Sequence, residues 1–189
     1  MRDWSVVSSY IGAYWGPRTE SVDQCAERVS RFLLALADVD PALIGWRDQG
    51  DSEIAALSNP VVSPDPAAIV DRLEADRQRD SNGQVLDEFG YLTSWWNAQG
   101  DAPVILTLSI GKTHPTVPNS VVVQLPEPAS ARNIYSLVNA GKIVSAVINS
   151  FDPQRLVWSN DHLREFQREP NTSLPNGGIA FGKLVGHPA

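Results

Sequence analysis

Residues 4–36, WSVVSSYIGAYWGPRTESVDQCAERVSRFLLAL, decide the fold class. Trp4, Val6, Val7, Tyr10, Ile11, Tyr14 and Trp15 are aromatic or β-branched, and residues 4–15 read as a first strand. Gly16-Pro17 stops it. Ser21, with Gln24 three residues on, has the pattern of a capping box. Beyond it Val22, Cys25, Ala26, Val29, Phe32, Leu33 and Leu36 recur at spacings of three and four, which predicts an amphipathic helix. Asp40-Pro41 closes it. A strand feeding a long helix through a short turn needs a sheet on which that helix can bury its stripe.

Outward from this unit, Leu43, Ile44 and Trp46 suggest a short second strand. Residues 47–64 are polar, acidic and proline-bearing, a loop with one helical turn near Glu53–Leu57. Asp65-Pro66 pairs an N-cap residue with proline at the first helical position, so a helix is expected to about Arg79, presenting Ile69, Val70 and Leu73. Ser81-Asn82-Gly83 is a turn. Residues 84–97 read as a strand carrying Leu86, Phe89, Tyr91, Leu92, Trp95 and Trp96. Residues 103–111 alternate clearly, with Val104, Leu106, Leu108 and Ile110 on one face, and Val121–Leu125 is the next strand. Ser130 is expected to cap a second long helix to about Asn149, with a stripe of Ile134, Leu137, Val138, Gly141, Val144 or Ser145, and Ile148. Close packing of a strand against Gly141 would offset its helix cost of about 1 kcal/mol. Leu156–Trp158, a short helix capped by Asn160 with Leu163 and Phe166, and a strand within 177–186 complete the chain. The class is α+β. One domain over residues 1–189 would hold a mostly antiparallel sheet of about six strands, packed by two long helices and one or two short ones.

Charge narrows the functions. The 189 residues carry 15 basic and 22 acidic groups, a net of -7. Residues 1–40 hold four basic and six acidic groups, residues 41–101 four and eleven, and residues 102–189 seven and five. The acidic surplus therefore sits in the middle third. Such a chain lacks the clustered Lys and Arg that phosphate backbones and anionic lipids require, so neither nucleic acid nor membrane is an expected partner. A basic protein is, because complementary charge steers encounter. No stretch has the length of a signal peptide or a membrane span, and the single Cys forms no internal disulfide. The expected address is the cytoplasm, and the oligomeric state stays open.

The sequence carries no recognisable catalytic motif. Cys25 lies on the helix stripe and reads as a buried structural thiol. His114, His162 and His187 have no second His or Cys at metal-ligand spacing, so no metal and no cofactor is expected. Gly177 and Gly182-Lys183 have the spacing of a phosphate-binding loop, but Leu184 stands where a hydroxyl must meet Mg²⁺. The residues two before each lysine are Ile110, Ala140 and Phe181, so the acidic-x-Lys element of a restriction-type nuclease is absent. No catalytic residue is proposed. The carboxylates Asp48, Asp51, Glu53, Asp87 and Glu88 have no orienting partner for acid–base work and read as a solvated loop or an acidic recognition surface. Trp95 and Trp96 are adjacent on a strand and must point to opposite faces. One of them is a candidate interface residue, since Trp is enriched at binding hot spots.

The run Tyr14-Trp15-Gly16-Pro17-Arg18-Thr19-Glu20-Ser21 enters the helix at Cys25-Ala26-x-Arg28 and leads to Asp40-Pro41, Gly45-Trp46 and an acidic loop. It resembles the immunity protein 52 family of bacterial polymorphic toxin systems. The resemblance is best in residues 10–50 and extends through Gly90–Trp95 and Gly177-Gly178. It implies a cytoplasmic antidote, not an enzyme, that binds and neutralises a cognate toxin. The toxin implied is a nuclease of restriction-endonuclease fold used in competition between bacteria. Trp15, Gly16, Pro17, Arg18 and Trp46 are then expected to be structural, with Arg18 pairing a carboxylate or binding carbonyls. The acidic residues and the Trp95–Trp96 pair would meet a basic toxin. The alternative is a small ligand-binding domain or hydrolase with a Trp/Tyr-lined pocket holding His114 or His162.

Overall fold

The computed structural model describes residues 9–97, 103–160 and 179–182. In chain order the elements are β1 (Ser9–Trp15), α1 (Val22–Ala37), β2 (Arg47–Asp48), α2 (Glu53–Ser58), α3 (Pro66–Ala75), β3 (Tyr91–Trp96), β4 (Ile105–Ile110), β5 (Asn119–Gln124), α4 (Leu137–Phe151), β6 (Arg155–Asn160) and β7 (Ile179–Gly182). The strands form one sheet in the order β2-β3-β4-β5-β1-β6-β7, with every neighbouring pair antiparallel. The α+β class follows.

The alternation read from the sequence sets the register. Ile11 faces Val123 and Ala13 faces Val121 across β1 and β5, and Leu106 faces Val123 across β4 and β5. Ile11, Ala13, Trp15, Tyr91, Trp95, Leu106, Leu108, Ile110, Val121 and Val123 are all buried on the one face that the helices cover. There α1 lies between α3 and α4. Six of its seven predicted stripe residues are buried, with Val22 half-buried, and Ser21 with Gln24 forms the complete capping box. On the opposite face Gly12 makes room for Tyr14, whose hydroxyl oxygen would come within 2.6 Å of a Cβ at position 12.

Several boundaries differ from the sequence reading, each for a local reason. Asp40 caps a 3-10 turn over Pro41–Leu43, accepting from Ala42 N–H at 2.9 Å, so the second strand moves on to Arg47–Asp48. Helix α3 stops at Ala75 because Arg77 and Arg79 are drawn into bridges with Tyr91 and Val85. The strand expected over 84–97 is confined to Tyr91–Trp96, since Asp87–Phe89 form a 3-10 turn and Gly90 follows with φ 56°. A Cβ at Gly90 would overlap the Ile110 carbonyl oxygen, so this turn accepts only glycine.

The largest correction concerns α4. Ser136, not Ser130, caps it, and its buried residues are Ile143, Ala146, Val147, Ser150 and Phe151. Leu137, Val138 and Ile148 face outward, Leu137 at 90% exposure. The helix carries two apolar stripes with helical spacing, and Phe151 selects between them. Its ring stacks on Trp15 at 5.6 Å and meets the edge of Phe32 at 5.2 Å. Among the described residues no strand packs on Gly141, where an added Cβ would meet nothing within 4 Å. The short helix after Asn160, with Leu163 and Phe166, lies outside the described residues, as does the expected last strand beyond Ile179–Gly182.

Candidate functional site

The Trp-Gly-Pro-Arg turn forms a clamp on the end of α4. A helix leaves its last four carbonyls without intrahelical partners, and three arginines of the β1–α1 region take them here. Arg18 donates through Nη1 to Phe151 O at 2.9 Å and through Nη2 to Asp152 O at 3.0 Å. Arg28 donates to Ser150 O at 2.9 Å and Arg31 to Asn149 O at 3.4 Å. Their positive charge also suits the negative end of the helix dipole. Glu20 holds the group in place, 2.5 Å from Arg28 Nε and 3.8 Å from Arg18 Nη1. Arg18 lies over the Trp15 ring at 5.6 Å, and Gly16 N–H donates to Gln154 Oε1 at 3.2 Å. Trp46 is buried beside β2. Trp15, Gly16, Arg18 and Trp46 thus take part in holding the fold together.

The acidic candidates do not form one patch. Asp48 lies on β2, facing Trp95 in register, and its carboxylate is ion-paired to Arg72 of α3. Asp51 is exposed in the following turn, and Glu53 opens α2, its side chain lying outside the described residues. Asp87 and Glu88 sit at the other end of β3. That strand rises about 3.3 Å per residue, which puts them roughly 17 Å from the Trp96 end. Asp87 pairs with Arg77 at 2.7 Å. Glu88 is exposed and gives its carbonyl to the N–H groups of Thr113 and His114, both at 3.1 Å.

Trp95 is fully buried and belongs to the core, which removes it from the candidate contact residues. Trp96 is half-buried on the other face. With Gln49, Ala56, Pro103 and Ile105 it lines a cavity of about 390 Å³. The helical turn expected near Glu53–Leu57 is α2, but the polar, acidic pattern of residues 47–64 does not mark the cavity or the exposed apolar side chains beside it.

Residues 8–186 match the model of a family described as Immunity protein 52. The chain belongs to the immunity protein 52 family. No curated protein matches it. Membership gives this immunity protein a cognate toxin as partner and suggests a role without catalysis.

Cys25, Tyr91 and His114 are each engaged with neighbours in the fold of this immunity protein. Burial, and then the nearby Glu20, push the Cys25 thiol up to about 12. That keeps it protonated and a poor nucleophile. Tyr91 is pushed to a similar value by burial and by Glu74, to which its hydroxyl donates at 3.3 Å. His114 stacks on Phe89 at 4.8 Å. Among the described residues no three His, Cys, Asp or Glu side chains could hold a metal. No helix among them is long and apolar enough to cross a membrane. His162, His187, Lys183 and the Gly177 end of the loop-like motif lie outside the described residues.

Proposed function

We propose that this immunity protein neutralises a basic toxin, a nuclease of restriction-endonuclease fold, by setting an acidic surface in the groove that would take phosphates. One observation carries the reading. In residues 41–101 eleven acidic groups face four arginines, and all four arginines are engaged within the fold. Arg72 pairs with Asp48, and Arg77 with Glu74 and Asp87. Arg47 donates to the Asn59 carbonyl and Arg79 to the Gly83 carbonyl. Asp51, Asp71 and Glu88 are exposed and make no ion pair among the described residues. The surplus is therefore open to a partner. The inhibitor would act in the cytoplasm, where such a nuclease meets nucleic acid.

The test starts from the reading frame beside the gene. Its product should kill cells unless this chain is co-expressed. The double reversal D51K/E88K should slow complex formation and flatten its salt dependence, because exposed charges act mainly on encounter. A double-reversed protein that binds and protects like wild type would refute the acidic-surface reading.

A further inference from the structure

The end of the sheet at β2 carries apolar side chains beside the acidic surplus. On α2, Ile54 is 79% exposed and Leu57 46%, and Val61, which bridges to Arg47 of β2, is 50% exposed. Residues i and i+3 share one helix face, so Ile54 and Leu57 form a pair. Ala56 of the same helix is buried and lines the cavity that Trp96 and Ile105 also line. Asp51 stands on the rim, between the lining residues Gly50 and Ser52. Burying such side chains against a partner removes apolar area from water, and an apolar centre with a polar rim is the usual anatomy of a protein interface.

Charge decides the occupant. Asp48, Asp51 and Glu53 stand here against Arg47 and Arg72, a net of -1. Arg72 pairs with Asp48, Arg47 keeps its charge while donating to the Asn59 carbonyl, and exposed Asp51 makes no ion pair among the described residues. A second copy meeting the same surface about a two-fold axis would bring like charges together. A basic partner meets no such repulsion.

We infer that the α2 edge, centred on Ile54, Leu57 and the Trp96 cavity, is where this immunity protein grips its toxin, and that the toxin's matching patch is apolar at its centre and basic around it. The inference rests on the reading above and refines it. Asp51 belongs to the contact, and Asp87 and Glu88, at the far end of β3, do not.

The probe is the product of the neighbouring reading frame, catalytically disabled for binding and intact for protection. I54K and W96A should each weaken binding at least tenfold and abolish protection, whereas E88K should stay within about twofold of wild type. Ile54 is too exposed for I54K to threaten folding, and thermal unfolding checks this. Wild-type binding by I54K and W96A, with loss in E88K, would overturn the α2 edge and leave the acidic-surface reading standing. Loss in I54K and W96A with no effect of D51K/E88K would keep the apolar centre of the surface but refute that reading and, with it, the basic rim and the place of Asp51 in the contact. A wild-type dimer that I54K disrupts would give the surface to a second copy and overturn the inference. Failure of the wild-type chain to bind or protect would sink both.

Discussion

Replacing Arg18 with Met keeps an unbranched apolar stem and removes the guanidinium. Two hydrogen bonds to the end of α4 disappear, to Phe151 O and Asp152 O, with the contact over the Trp15 ring. A hydrogen bond from a charged donor contributes about 1.5–3 kcal/mol. The bond to Phe151 is partly buried and the bond to Asp152 exposed, so the low end applies to the first and about 0.5 kcal/mol to the second. The cation–π contact adds about 0.5–1 kcal/mol. The expected loss is about 2–3 kcal/mol. For a chain of this length each kcal/mol moves Tm by about 2–4 °C, so the midpoint should fall by roughly 4–12 °C. Urea unfolding followed by tryptophan fluorescence supplies the free energy, and calorimetry the midpoint. Arg18→Lys keeps the charge without the forked donor and should recover less than half of the loss. The clamp reading also requires that R18M, held well below its midpoint, still protects against the toxin. A loss under about 0.5 kcal/mol would refute the energetic argument. Lost protection at unchanged stability would make Arg18 a contact residue instead.

Gly141→Ala should stabilise the protein by about 1 kcal/mol, because a Cβ there meets nothing and the helix interior favours alanine; a lower urea midpoint would show that something packs on it. Ser21→Ala should cost about 1 kcal/mol through loss of the capping box, and Ser21→Asn should restore most of it. Stability should fall at alkaline pH. Cys25 and Tyr91 hold folded values of about 12, against ordinary values of 9.0 and 10.0. The unfolded chain therefore loses these protons first. The stabilisation is complete below pH 9 and drains away towards pH 12, by about 1.4 kcal/mol per pH unit per group. Urea midpoints from pH 8 to 11 measure the slope; C25A should flatten it, and an unchanged slope in C25A/Y91F would remove the assignment.

What the sequence disclosed followed from how many residues shared each constraint. Seven apolar positions in α1 agree on one phase, and strict alternation in β4 assigns each residue a face, so both were legible. Helix α4 offered two phases, and the choice rested on a contact between Phe151 and Trp15, 136 positions apart in the chain, that no local pattern contains. The role of Arg18 was half legible: a cation after Gly-Pro can seek carbonyls, but only the fold brings the end of α4 to it. Among the site residues, the opposition of Trp95 and Trp96 followed from strand geometry. The separation of Asp48 and Asp51 from Asp87 and Glu88 did not, because the two groups are linked through α3 and lie at opposite ends of β3. Composition summed them into one acidic third that the fold pulls apart.

The same geometry separates the residues that hold the fold from those of the proposed toxin contact. The residues that carry the family resemblance are spent inward: Trp15 on Phe151, Arg18 on the end of α4, and Trp46 in the core beside β2. Three hydrogen bonds tie the α2 edge to the sheet. Val62 N–H bonds Trp46 O at 2.7 Å, Asn59 Nδ2 bonds Asp48 O at 2.9 Å, and Arg47 donates to the Asn59 carbonyl. None of these uses the side chains of Ile54, Leu57 or Asp51. Substitution at such exposed positions usually changes stability by no more than about 0.5 kcal/mol. On the proposed reading, positions 51, 54 and 57 can therefore change to suit a different toxin without loosening the fold, whereas Ser52, which caps α2, buried Ala56 and the Trp-Gly-Pro-Arg turn cannot. It follows that exchanging residues 51, 54 and 57 for those of another family member should move toxin preference and leave the unfolding midpoint in place, whereas exchanging residues 15–18 for unrelated turn residues should lower the midpoint and leave preference untouched. A swap at 51, 54 and 57 that lowers the midpoint by several degrees would show that these side chains are part of the structural core, and the division of labour argued from Ile54 and Leu57 would be wrong.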